Sequence, residues 1–161
     1  MSDEKVKADF EACDELLCNG ESRDDFIEAN IERMEAWKES ADLGDACGQL
    51  LYGLCFFYGH GEDEDEDAAI EWFTKSAQQG NAHAQCSLGL CYENGWGCRE
   101  NQNLANDWFK KAATQGHQKA IDELPLSLKV QLGIEPHKVL TKEIAEQFLA
   151  DEDSVDLSEF T

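Results

Sequence analysis

The sequence predicts an all-α chain: antiparallel helix pairs stacked into an α/α superhelix, with an irregular capping segment at each end. Two repeated patterns carry that expectation. Gly44, Ala46, Gln49, Gly53, Gly59 and Gly61 return 36 residues later as Gly80, Ala82, Gln85, Gly89, Gly95 and Gly97. Trp72, Phe73, Lys75, Ala77 and Gly80 return at the same step as Trp108, Phe109, Lys111, Ala113 and Gly116. A fixed period in the thirties marks stacked helical units, each too small to bury its apolar face alone.

The elements follow in order. Val6, Phe10, Cys13, Leu16 and Leu17 recur at helical spacing, so residues 3–18 form an amphipathic helix that Asn19-Gly20 stops. A second helix starts at Asp24 or Asp25 and runs to about Asp42, with Phe26, Ile27, Ile31, Met34 and Trp37 on its stripe. Residues 1–43 lack a Gly-x-Gly turn and read as an irregular capping repeat.

The first full repeat is 44–79. Its first helix, 45–58, is apolar almost all round, as a helix buried on both sides or one awaiting a partner is. Its second, about 66–79, packs through Ala69, Trp72, Phe73 and Ala77. The second repeat, 80–115, has one helix from Gly80 to Gly95 and another over about 102–115. Asp65 and Asn101 occupy equivalent positions ahead of the second helices and suit N-caps.

Residues 116–150 form a degenerate C-terminal cap. Ala120, Ile121 and Leu124 begin a helix that Pro125 ends. Leu126, Leu128, Val130 and Leu132 then alternate, which predicts an extended, strand-like segment up to Pro136. A last helix runs from Thr141 to about Ala150, and 151–161 is an acidic tail.

The formal net charge is −22. Such a chain repels phosphate backbones and anionic membrane surfaces, so neither nucleic acid nor a membrane is expected as a partner, and basic partners are favoured. No apolar run approaches the roughly 20 residues of a membrane span. The N-terminus shows no basic n-region followed by an apolar stretch, which predicts a cytoplasmic protein whose seven cysteines are reduced thiols.

The repeat resembles the Sel1-like repeat, a relative of the tetratricopeptide repeat. The family's Gly-x-Ala-x-Ala-Gln-x-x-Leu-Gly-x-x-Tyr-x-x-Gly-x-Gly run is met at Gly80, Ala82, Ala84, Gln85, Leu88, Gly89, Tyr92, Gly95 and Gly97. Its second half is met over Ala69 to Gly80 and again over Ala105 to Gly116. The first repeat departs at Gly48, Tyr52 and Phe56. The resemblance implies a protein–protein interaction adaptor or regulatory module that holds a partner peptide or helix in a concave groove. Carried over from the tetratricopeptide repeat, the groove-facing slots are Cys47, Leu50, Leu54, Phe57 and Tyr58 in one repeat. In the next they are His83, Cys86, Leu90, Glu93 and Asn94. So apolar a surface would aggregate if bare. The expectation is therefore that residues 126–149 or the N-terminal helix cover the groove, with partners bound at its rim.

Other chemistry is weaker in the sequence. Cys86, Cys91, Cys98 and His83 support an alternative thiol- or metal-dependent role, but their spacing matches no zinc knuckle, and neither metal nor cofactor is expected. The acidic run Glu62, Asp63, Glu64, Asp65, Glu66 and Asp67 lacks the glycine and terminal glutamate of a calcium loop. It reads as a solvated loop or a docking site for a basic partner. No nucleophile–base constellation or phosphate loop is present, so no enzyme is expected. The histidines 60, 83, 117 and 137 stand at turns or helix starts and are expected at the surface.

Overall fold

The computed structural model describes residues 3–18 and 23–134, and every regular element among them is helical. Residues 1–124 and 125–161 form two compact units. The first holds α1 (Asp3–Cys18), α2 (Arg23–Ala29), a 3-10 turn (Ile31–Arg33), α3 (Met34–Asp42), α4 (Ala46–Tyr58), α5 (Glu66–Gln78), α6 (Ala82–Asn94), α7 (Gln102–Thr114) and α8 (Gln118–Glu123). The helices pack in chain order, α3 on α4, α4 on α5, α5 on α6, α6 on α7 and α7 on α8, as in a helical repeat solenoid.

The period is written into the helix starts. Asp45, Asn81 and His117 stand 36 residues apart, and each N-caps a helix. Their side chains accept from the backbone N–H of Gly48, Ala84 and Ala120. Each cap satisfies a donor that the first turn leaves without an intrahelical partner. Asp65 and Asn101 cap α5 and α7 in the same way. The ends of α4 and α6 also match: Gly59 and Gly95 close them at φ 69° and 72°, a left-handed geometry that strains other residues.

The same step runs through the core. Trp37, Phe73 and Phe109 are buried at 36-residue intervals, one from each of α3, α5 and α7. Phe73 lies against Gly53 of α4, where an added Cβ would stand 2.8 Å from the ring, and Phe109 lies against Gly89 of α6 still more tightly. Glycine is thus required mid-helix because a ring occupies the space a side chain would need.

The single helix expected from about residue 24 to 42 is interrupted. Asn30, at φ −118° and ψ 17°, leaves the helical region, and the 3-10 turn follows. The break lets Ile31 and Met34 pack on the Gly61 turn of the next repeat and brings Arg33 to Asp9 of α1. The buried Asp9 carboxylate accepts from both Arg33 and Trp37 Nε1, the latter at 2.9 Å.

The strand-like reading of 126–136 is also corrected. In the second unit Leu126–Gln131 is a helix, α9, opened by Pro125 at φ −56° and ψ 147°. Proline cannot continue a preceding helix, yet its fixed φ suits the start of a new one. Leu128 and Leu132 share the more buried side at i, i+4, while Leu126 and Val130 share the exposed side. Alternation and helical spacing coincide over so short a run. The helix expected from Thr141 and the acidic tail lie outside the described residues.

Candidate interaction surface

The expected groove residues divide into two groups. Leu50 and Leu54 are each 1% exposed and Cys86 is 0% exposed, so they are core and offer nothing to a partner. For Leu50 and Leu54 the reason lies in α1. This helix packs on α4, its Val6 joins the core that holds Leu50 and Leu54, and its Phe10 ring meets His83 of α6 edge to face at 5.3 Å. The N-terminal helix therefore covers this part of the groove. Cys47 is half-buried there, with Lys7 and Glu11 of α1 within electrostatic reach.

The second group stays accessible. Phe57, Tyr58, Leu90 and Glu93 are half-buried and Asn94 is exposed, all toward the C-terminal ends of α4 and α6. Phe57 is the centre of an aromatic cluster among them. Its ring meets Tyr58 at 5.2 Å and Trp96 at 5.5 Å, edge to face in both cases, and rests on Phe73 at 6.3 Å. Trp96, from the turn between α6 and α7, is 38% exposed. It falls between two glycines in the sequence and was not among the expected site residues. Its aromatic ring inside a Gly-x-Gly turn was the available signal.

The acidic run is split between structure and solvent. Glu62 accepts from the Tyr52 hydroxyl at 2.8 Å, Asp65 caps α5, and Glu66 accepts from Gly97 N at 2.8 Å. Burial and the Glu62 carboxylate push the Tyr52 hydroxyl well above the usual tyrosine range. Asp63, Glu64 and Asp67 face solvent. The loop leaves the Tyr58 end of α4 and is tied at Glu66 to Gly97, the residue after Trp96.

The thiol and metal reading finds no assembled centre. Among the described residues, no group of three or more His, Cys, Asp or Glu side chains could hold a metal ion. Cys86 and Cys91 are buried, and Cys98 donates to the Cys91 carbonyl at 3.4 Å. Burial, then the neighbouring Asp45, pushes the Cys47 thiol up to about 11, and burial with Glu66 and Asp67 raises Cys98. Both shifts move these thiols away from the reactive thiolate. His83 is engaged with a second histidine rather than a cysteine. His117 Nδ1 accepts from Ala120 N, so Nε2 carries the proton and donates to His83 Nδ1 at 2.8 Å. Both rings are half-buried rather than on the open surface, His60 is likewise half-buried, and His137 lies outside the described residues. No described helix is long and apolar enough to cross a membrane.

Comparison with known proteins agrees with this geometry. The model of the Sel1 repeat matches residues 48–81 and 82–117. A Sel1 repeat protein from Oxalobacter formigenes is similar in structure at 32% identity and a TM-score of 0.56, over 61% of this chain and 42% of that one. A protective antigen present in uropathogenic Escherichia coli strains, displaying an SLR fold, aligns at 22% identity and a TM-score of 0.54. That alignment covers 95% of this chain and 33% of the antigen, and it bears on the fold alone. The chain thus spans less than half the length of either solved structure. No curated protein matches the sequence. Sel1 repeats generally mediate protein–protein interaction, and proteins built from them are typically non-enzymatic scaffolds. Two tandem matches, carried by the same period that spaces the caps, the glycine turns and the buried rings, identify residues 48–117 of this chain as a pair of Sel1-like repeats.

Proposed function

We propose that the chain is an interaction module that presents the C-terminal ends of α4 and α6 to a segment of a partner protein. The observation that carries the reading is the contact of Phe57 with Trp96 at 5.5 Å, which joins the end of α4 to the turn after α6 in one accessible aromatic surface. Tyr58, Leu90, Glu93 and Asn94 extend that surface, and α1 occupies the neighbouring part of the groove. Aromatic side chains offer a partner large contact area at low entropic cost. The exposed acids Asp63, Glu64 and Asp67 of the acidic run favour a basic partner over an acidic one.

Selection of a random peptide-display library on the whole chain tests this. Selected peptides should bind Asn94→Arg and Tyr58→Ser at least about tenfold more weakly, the cost of losing a central contact. Asn94 is exposed and Tyr58 half-buried, so both variants should fold, which circular dichroism checks. Peptides that bind both folded variants as tightly as the native chain, or a library that yields no binder, would overturn the reading.

A further inference from the structure

The structure shows how this chain already uses tryptophan. Among the described residues, Lys75 Nζ stands 3.9 Å from the Trp72 ring centroid, and Lys111 Nζ stands 3.9 Å from that of Trp108. Trp37 is fully buried. Trp96, the fourth tryptophan, keeps 38% of its surface, and no described lysine or arginine stands over it.

The sequence that leads up to it is strongly acidic. From Lys38 to Arg99 it holds eleven Asp and Glu residues against Lys38, Lys75 and Arg99, and Lys75 is engaged with Trp72. Within this stretch the Glu66–Gly97 bond fixes the acidic loop beside Trp96, and Asp63, Glu64 and Asp67 of that loop are exposed. An aromatic face attracts a cation through its quadrupole, and carboxylates at its edge complete the hydrogen bonding of a planar guanidinium.

We propose that Trp96, in contact with Phe57 and with the exposed carboxylates Asp63, Glu64 and Asp67 on the adjoining acidic run, recognises a basic peptide segment by taking an arginine side chain onto the indole. This rests on the reading of the Phe57–Trp96 face as the interaction surface and names the partner chemistry. The carboxylates draw the segment in and the indole selects the position. Acidity alone would hold a basic peptide anywhere on so charged a chain, so the aromatic contact is what makes this a site.

The test is fluorescence anisotropy of a short labelled peptide of alternating arginine and glycine, beside the same peptide with citrulline, a neutral isostere, in place of arginine. The arginine peptide should bind the whole chain, weaken as salt rises, and bind Trp96→Leu about five-fold or more weakly. Trp96→Phe, which keeps an aromatic face, should recover most of the affinity. The citrulline peptide should bind too weakly to measure. Equal binding to the native chain and Trp96→Leu would overturn the proposal, because charge alone would then explain capture. Equal binding of the citrulline peptide, or no binding of the arginine peptide to the native chain, would overturn it as well. These failures are separable from failure of the module itself. Display-selected peptides without basic residues that are lost on Asn94→Arg would uphold the interaction surface while removing arginine as its ligand.

Discussion

Gln79 Nε2 donates to Gln49 Oε1 at 2.8 Å, and 36 residues on Gln115 Nε2 donates to Gln85 Oε1 at 2.9 Å. Each receiving amide is buried, and its own Nε2 donates backward, from Gln49 to the Ala41 carbonyl and from Gln85 to the Ala77 carbonyl. One glutamine thus joins the second helix of the preceding unit, its own helix, and the end of the helix that follows. Neither clasp leaves the amide without a partner, which is the condition for burying one at little cost.

Gln85→Ala should therefore cost about 2 kcal/mol, since it loses two hydrogen bonds, the clasp with Gln115 and the bond to the Ala77 carbonyl, which keeps its backbone donor Gly80 N. Gln115→Ala should cost about 1 kcal/mol, because it removes only the outer donor. In a double-mutant cycle read by urea denaturation, the two should couple by about 1 kcal/mol. Strict additivity would show that the clasp contributes nothing.

Asp9 ties α1 to the array through Arg33 and Trp37. Asp9→Ala should lower stability by about 2 kcal/mol, since it removes the buried acceptor of Trp37 Nε1 while Arg33, a third exposed, can turn to water. It should also speed hydrogen exchange across α1 and α4 relative to α7. Trp37→Phe loses the N–H and part of the buried ring volume and should cost about 2 kcal/mol. Unchanged exchange in α1 would mean that Val6 and Phe10 hold the helix without Asp9.

Gly89→Ala places a methyl group against the Phe109 ring. Overpacking of this kind costs about 2 kcal/mol. Gly80→Ala meets nothing within 4 Å, but its φ of 92° strains any side chain, so it should cost about 1 kcal/mol for a different reason. The two are separable by adding Phe109→Leu. The smaller side chain should lessen the effect of Gly89→Ala and leave that of Gly80→Ala unchanged.

The Cys47 thiol titrates near 11 rather than at its ordinary 9.0, chiefly because burial disfavours the thiolate. Iodoacetamide should label it slowly at pH 8, with the rate rising until about pH 11. The sign for stability follows from a folded pKa raised above the unfolded one. This contribution is fully present below pH 9.0 and is lost as pH rises toward 11. Labelling at pH 8 as fast as that of a free cysteine peptide would show that α1 does not cover the site.

Much of the architecture was legible before any coordinate. The period, the caps Asp65 and Asn101, the glycine turns and the ends of the four central helices depend on contacts within a few residues or between units a fixed step apart. Local chemistry of that kind is carried by residue type and spacing. Non-repeating segments were harder. The break at Asn30 serves the packing of Ile31, Met34 and Arg33 on distant residues. The helix after Pro125 had a pattern too short to separate a period of two from one of 3.6.

The candidate surface shows the same division. The sequence by itself determined that α4 and α6 are equivalent helices of successive repeats, and the resemblance to a known repeat marked positions on them for a partner. Only the tertiary structure decided which of those side chains reach solvent. Leu50, Leu54 and Cys86 became core, Leu50 and Leu54 in the cluster that α1 closes with Val6, whereas Phe57 and Tyr58 stayed accessible and gained Trp96 from the following turn. Exposure depends on what packs above a residue. In this chain that neighbour is a helix from outside the repeat, about which a repeating pattern carries no information.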